Sequence, residues 1–246
     1  MSDKLQNALD HLNEILPLRA RQEQCPPPVK TLHQQILSSF VTHGRVLTKA
    51  EMAEIVADVP AALAQLHQYD MITISATGDL IGAYPFTTSS RGHAVQVNGH
   101  WLYAMCAVDA LAIAPMFQTR THISSRCSIT AAPIEISMVG ETVQYEDMVQ
   151  LEDMVQNKDT VQNKDMVQPE DTAQNKDTVG DIHVGIGWAA ANGSSCCADS
   201  LCTEMIFLRD QRVAEQWLSD HTEGREIFTL AEAIQFASRF FALLLS

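Results

Sequence analysis

Positive charge is scarce in this chain. Sixteen lysines and arginines face 30 aspartates and glutamates, which leaves a formal net charge of -14 and a pI near 4.9. Non-specific attachment to nucleic acid or to anionic membranes needs clustered cations, so the composition argues against both. Long apolar runs are lacking as well. The longest, Leu102 to Phe117, is interrupted by Asp109 and meets Pro115 near its end, too short and too polar for a membrane span. Met1-Ser-Asp-Lys4 has no apolar stretch behind a basic start, so no export is expected and the cytoplasm is the expected compartment. There is no glycine-rich phosphate loop and no Gly-x-Ser-x-Gly elbow, and none of the nine histidines forms an i, i+4 pair. Phosphate-loop, serine-hydrolase and helix-borne histidine-metal chemistry therefore have no support in the sequence.

What the chain does have is thiols. Six cysteines stand at positions 25, 106, 127, 196, 197 and 202. In a reducing compartment they stay unpaired, which favours ligation or catalysis over a disulfide framework. With 246 residues, 46% of them hydrophobic and 19% charged, the chain can bury a core and fill one large or two modest domains.

Cys106 and Asp109 lie three residues apart in the apolar run, a spacing that predicts a thiol and a carboxylate on one face of a buried helix. A carboxylate in such surroundings costs several kcal/mol unless it is hydrogen-bonded or protonated, and a neighbouring thiol can exchange that proton with it. A plain structural reading stands beside this one: free cysteines are commonly buried, and one aspartate can satisfy nearby backbone.

Along the chain, Leu5, Leu9, Leu12 and Leu16 recur at helical spacing, and Cys25-Pro-Pro-Pro28 reads as the stop and a stiff connector, giving an N-terminal segment 1–28. Three short helical patterns follow at Val29 to Val41, Thr48 to Val56 and Pro60 to Tyr69, the second opened by Thr48 with Glu51 three residues on. Met71 to Ser75 and Leu80 to Tyr84 flank Gly78-Asp79 as a hairpin, so residues 29–88 read as a winged helix-turn-helix-like domain. Its would-be reading helix, Ala61 to Gln68, carries no lysine or arginine, which favours a scaffold over a DNA reader. From 89 to 246 the pattern is mixed α/β: strands at His93 to Val97, Thr121 to Ser125, Pro133 to Met138 and Glu204 to Leu208, then helices around Arg212 to His221 and Leu230 to Leu245. The expected class is α+β. Trp101, Trp188 and Trp217 read as core residues that could also wall a thiol pocket.

Residues 146–179 repeat with a period of six, as in Glu152-Asp-Met-Val-Gln-Asn157 and Lys158-Asp-Thr-Val-Gln-Asn163. Nine acidic side chains against three lysines place six of the net negative charges in this tract. The tract reads as a low-complexity insert, an exposed and mostly disordered loop, with a short solenoid as the alternative.

Tyr103-Ala-Met-Cys-Ala-Val-Asp-Ala-Leu111 resembles the Tyr-Ala-Trp-Cys-Ala-Leu-Asp-Thr-Leu segment of the organomercurial (alkylmercury) lyase family. Residues 122–136 are similar to the family's following Ser-Ser-His-Cys to Gly-Ala-Pro segment, and Ser200 through Trp217 lies without gaps on the stretch that carries its second catalytic cysteine. The resemblance implies a winged-helix-like N-terminal domain before a catalytic domain with nucleophilic Cys106, proton-carrying Asp109 and second thiol Cys202. It leaves aside the first two dozen residues and the insert. A frequent Cys-Cys at the second site is Cys202-Thr203 here, while Cys196-Cys197 stands upstream, so a register in which Cys196 or Cys197 is the second thiol, or a further mercury ligand, stays open. Cys127 is expected to be structural, and Cys196, Cys197, Cys202 and His183 lack the paired spacing of a structural zinc site.

Soft Hg(II) prefers thiolate sulfur, so an organomercurial small molecule is the implied substrate, cleaved by protonolysis to a hydrocarbon and Hg(II). No nucleotide or metal cofactor is implied. An external thiol would release the product, and a mercuric reductase could accept it. Two rival readings share these residues: a thiol-based metal or redox sensor using the winged helix as a regulator, and a family relative that binds metal without lyase activity.

Overall fold

The computed structural model describes residues 2–90, 93–145, 179–192, 196–220 and 224–246. The hexapeptide insert predicted over 146–179 lies outside them except for its last residue, Val179. Among the described residues, no helix is long and apolar enough to cross a membrane.

The N-terminal segment is two helices, not one: α1 (Asp3–Ile15) and α2 (Leu18–Gln24). Pro17 makes the break, because its ring disfavours helical geometry in the preceding Leu16, which sits at φ -130° and ψ 73°. The expected proline connector is correspondingly short. Pro27 and Pro28 open α3 (Pro27–His43), occupying first-turn positions where a missing N–H costs nothing. Next come α4 (Lys49–Ala53), with Thr48 and Glu51 forming the expected capping box, and α5 (Val59–Gln68), capped by Asp58. The predicted hairpin is β1 (Ile72–Ile74) and β2 (Leu80–Ala83).

That hairpin is one end of a larger sheet. β3 (Phe86–Thr87) bridges β2 to β5 (His100–Ala104), and β4 (Ala94–Val97), β6 (Arg120–Arg126), β7 (Pro133–Val139) and β8 (Thr142–Gln144) complete eight antiparallel strands in the order β1-β2-β3-β5-β4-β6-β7-β8. A second antiparallel sheet has β9 (His183–Gly187) between β10 (Met205–Leu208) and β11 (Arg225–Thr229). β9 passes under Trp217 of α7 (Gln211–Asp220). A Cβ on Gly185 would come within 2.8 Å of the indole, so glycine lets strand and helix approach there.

Between the two sheets lies α6 (Ala107–Phe117). Every residue from Ala107 to Pro115 is buried. Four alanines in that stretch keep the helix slim enough to pack on α8 (Leu230–Phe241), on β10 and on the large sheet at once. Leu102 to Ala104, the first residues of the apolar run, belong to β5. The apolar run thus divides into a strand that reaches the core and a helix that leaves it, and the turn between them carries the thiol.

Candidate active site

Cys106 is the N-cap of α6, with extended backbone at φ -150°, and Asp109 is the third helical residue. The two side chains meet across a helix N-terminus, not along a helical face as their spacing predicts. The Asp109 N–H donates to Cys106 Sγ at 3.4 Å, an N-cap with sulfur in place of the usual hydroxyl, and the thiol donates back to Asp109 Oδ2 at 2.9 Å. Capping chemistry thereby fixes the thiol and the acid against each other.

Cys202 arrives from the other side of the core, on the 3-10 turn Leu201–Glu204 that leads into β10. Its Sγ lies 3.9 Å from the same Asp109 Oδ2. One ligating atom from each of Cys106, Asp109 and Cys202 falls within 4.8 Å of the others, and no other group of three or more such side chains closes this way among the described residues. Met205 adds a third sulfur, accepting from Cys106 Sγ at 3.7 Å.

The site is dry. Cys106, Asp109 and Cys202 are 1%, 2% and 6% exposed, so the ionised form of each is penalised. Burial pushes the Asp109 carboxyl up to about 7, although the hydrogen bonds from Cys106 and then Cys202 work the other way. Burial likewise pushes the Cys106 thiol up to about 12, opposed by its contact with Cys202 and reinforced by Asp109. The Cys202 thiol is raised by its contacts with Cys106 and Cys197 and then by burial. Near neutral pH this is a store of two thiols and one carboxyl poised to gain or lose a proton. The helix N-terminus favours negative charge, but desolvation outweighs it.

Leu12, Leu16, Val108, Phe240 and Phe241 wall the small cavity beside Asp109 and Cys202, with Tyr84 and Cys197 completing it. Leu12 belongs to α1 and Leu16 to the break that follows it, so the segment outside the sequence resemblance covers the site. None of the three tryptophans lines this cavity: Trp188 and Trp217 are buried elsewhere, and Trp101, expected in the core, is 54% exposed on β5.

The vicinal pair divides. Cys197 faces Cys202, while Cys196 donates to Asp70 Oδ1 at 3.3 Å and lies 4.0 Å from the Tyr84 hydroxyl. Burial and then Asp70 push the Cys196 thiol up to about 11. Cys127 is buried in a turn, accepts the Thr130 N–H at 3.5 Å and stands outside the group of Cys106, Asp109 and Cys202. His183 faces the Asp181 carbonyl at 2.6 Å and belongs to no cluster with the cysteines. Sequence reasoning missed Asp70, Tyr84 and Met205. Met205 alone left a signal, three residues after Cys202.

The model of the alkylmercury lyase family (MerB) matches residues 86–167 and 162–242, a span that holds Cys106, Asp109, Cys127, Cys196, Cys197 and Cys202. Among solved structures, the fold is similar to that described as the mercury-bound form of MerB2, with a TM-score of 0.64 and 18% identity, covering 95% of this chain and 100% of that one. With more than half its length matched by the family model, this chain belongs to the alkylmercury lyase family.

Proposed function

We propose that Cys106, Asp109 and Cys202 are the groups with which this alkylmercury lyase cleaves a carbon–mercury bond. The observation that carries the assignment is the shared contact of two buried thiols with one carboxylate oxygen, at 2.9 and 3.9 Å. Two sulfurs within reach of one soft cation, and an acid within reach of both, are what protonolysis of an organomercurial requires.

An organomercurial R-Hg-X loses X as the Cys106 sulfur bonds mercury, and the thiol proton passes to Asp109 Oδ2. A thiol near 12 does not ionise unaided at neutral pH, so mercury itself displaces the proton. Cys202 then adds its sulfur, and electron density pushed toward mercury makes the carbon basic. Asp109, neutral after the first transfer, gives its proton to that carbon. The hydrocarbon R-H leaves, Hg(II) stays between two thiolates, and the second thiol proton departs with X. Burial serves this cycle by holding the carboxyl near 7, where taking and giving a proton cost about the same.

The catalytic set on this reading is the protein's own, with an external thiol to carry off Hg(II) and a mercuric reductase as a downstream acceptor, in the cytoplasm. The N-terminal helices and hairpin act as scaffold and cover, because Leu12 of α1 and Leu16 just after it supply part of the cavity wall. The test is to incubate the protein and excess thiol with an arylmercury salt and follow arene release by chromatography. Release by the unmodified protein, lost in Cys106→Ala and Asp109→Ala and strongly reduced in Cys202→Ala, is expected. Absence of release from the unmodified protein would leave a family member that binds mercury without cleaving it.

A further inference from the structure

Cys196 and Cys197 are not used in the cleavage just described, yet one carboxylate holds them in a defined orientation. Asp70 sits at a left-handed position just after α5, at φ 49°. Its Oδ2 accepts the Cys197 N–H at 2.9 Å, and its Oδ1 accepts the Cys196 thiol at 3.3 Å and the Tyr84 hydroxyl at 3.1 Å. Three donors on one carboxylate fix the backbone at this dipeptide. Cys196 is extended, at φ -121° and ψ 124°, so consecutive side chains leave on opposite sides. Cys196 is directed to Asp70, and Cys197 to the cavity it shares with Cys202.

We propose that Cys197 and Cys202 form a second mercury-binding pair, which takes Hg(II) over from Cys106 and Cys202 after carbon–mercury cleavage. The inference rests on mercury being the cargo of the Cys106 site. In the transfer the Cys197 sulfur bonds mercury, the bond to Cys106 Sγ breaks, and the proton lost by Cys197 is taken up by the departing Cys106 thiolate. No electron changes hands. Cys202 keeps its bond throughout, so mercury moves toward the edge of the site without being set free. Asp70 is a positioning residue: it touches no mercury and acts by aiming Cys197. An external thiol then needs to reach the outer pair and not the deepest sulfur. Cys106 regains its proton in the exchange, and Cys202 rejoins the cycle once the product has left.

The experiment uses Hg(II) alone on the full-length protein. In Cys106→Ser, Hg(II) is expected to bind with two sulfur neighbours by X-ray absorption at the mercury edge, and with one in the Cys106→Ser, Cys197→Ser double variant. In the otherwise unmodified protein, Cys197→Ser is expected to slow transfer of bound Hg(II) to a dithiol chelator about tenfold or more, and Asp70→Asn to slow it in the same direction by less. Should Cys197→Ser fail to fold, the Asp70→Asn and Cys106→Ser proteins carry the same comparison. One sulfur neighbour in Cys106→Ser, or unaltered transfer in Cys197→Ser and Asp70→Asn, would overturn the proposal. Arene release in the same preparations reads the cleavage assignment separately, since it needs Cys106 while the two-sulfur site of the Cys106→Ser protein does not.

Discussion

Replacing Asp109 by asparagine keeps the shape of the side chain and an oxygen for the Cys106 thiol while removing the titration. The carboxyl lies at about 7 in the fold against an ordinary value of 3.8, a gap equivalent to about 4 kcal/mol. The sign follows from burial. The folded state keeps its proton where the unfolded chain has lost it, so the contribution to stability is complete below pH 3.8 and disappears as pH rises through about 7. Asparagine has no such loss. The unmodified protein should therefore fall relative to Asp109→Asn by about 4 kcal/mol between roughly pH 4 and pH 8. The comparison must be a difference between two proteins, because His33 and His93 titrate in an overlapping window with opposite sign. Burial lowers both from 6.5 to about 4, so the stability they contribute is present above pH 6.5 and is lost as pH falls toward 4. Urea unfolding of both proteins at a series of pH values, with a reductant present, measures the difference directly. Curves that stay parallel within about 0.5 kcal/mol would refute the claim that Asp109 is held near neutrality by burial.

Other expected outcomes follow from the same geometry. Because Asp109 must be ionised to receive the Cys106 proton, kcat/KM for an arylmercury salt should rise about tenfold per pH unit below about 7 and level off above it; a flat profile from pH 5 to 8 would count against the shuttle. Leu12→Ala, which removes a 1% exposed side chain from the cavity wall, should cost about 2–5 kcal/mol in urea unfolding and speed alkylation of Cys106. Unchanged alkylation would mean that α1 does not control access. Gly185→Ala should cost about 1–3 kcal/mol, since the new Cβ meets the Trp217 ring at 2.8 Å, and Trp217→Phe in the same background should recover part of it.

Much of the fold was legible where local rules dominate. Thr48 with Glu51, the hairpin around Gly78-Asp79 and the alternation in Pro133 to Met138 each appear where the sequence predicts them, because capping, turn chemistry and pleat need only near neighbours. The differences have more than one origin. Leu102 to Ala104 is apolar in either conformation and became a strand by pairing with Val95 and Ala94 of β4 across the local Asn98-Gly99 turn, and with the more distant Phe86 of β3. β9 has two glycines in five residues and little local strand signal, yet it is the centre of the second sheet because Trp217 and Glu204 pack where those glycines leave room. Cys106 and Asp109 could be paired from their spacing, although not as a cap. Cys202 was placed by resemblance, since 93 residues separate it from Asp109 and no local pattern spans that gap. Asp70 left no signal in the sequence, because its role depends on a carboxylate at the end of α5 meeting a dipeptide 126 residues later.

The central claim is that two buried thiols and one acid break a carbon–mercury bond and keep the metal. The most direct measurement is a single turnover without added thiol, in which arene released per protein chain is counted and the sulfur neighbours of the retained mercury are determined by X-ray absorption. One arene per chain with mercury held by two sulfurs is predicted, and Cys106→Ala should give no arene. Arene released at the same rate by Asp109→Asn, or mercury retained by the unmodified protein with its carbon still attached, would contradict the account.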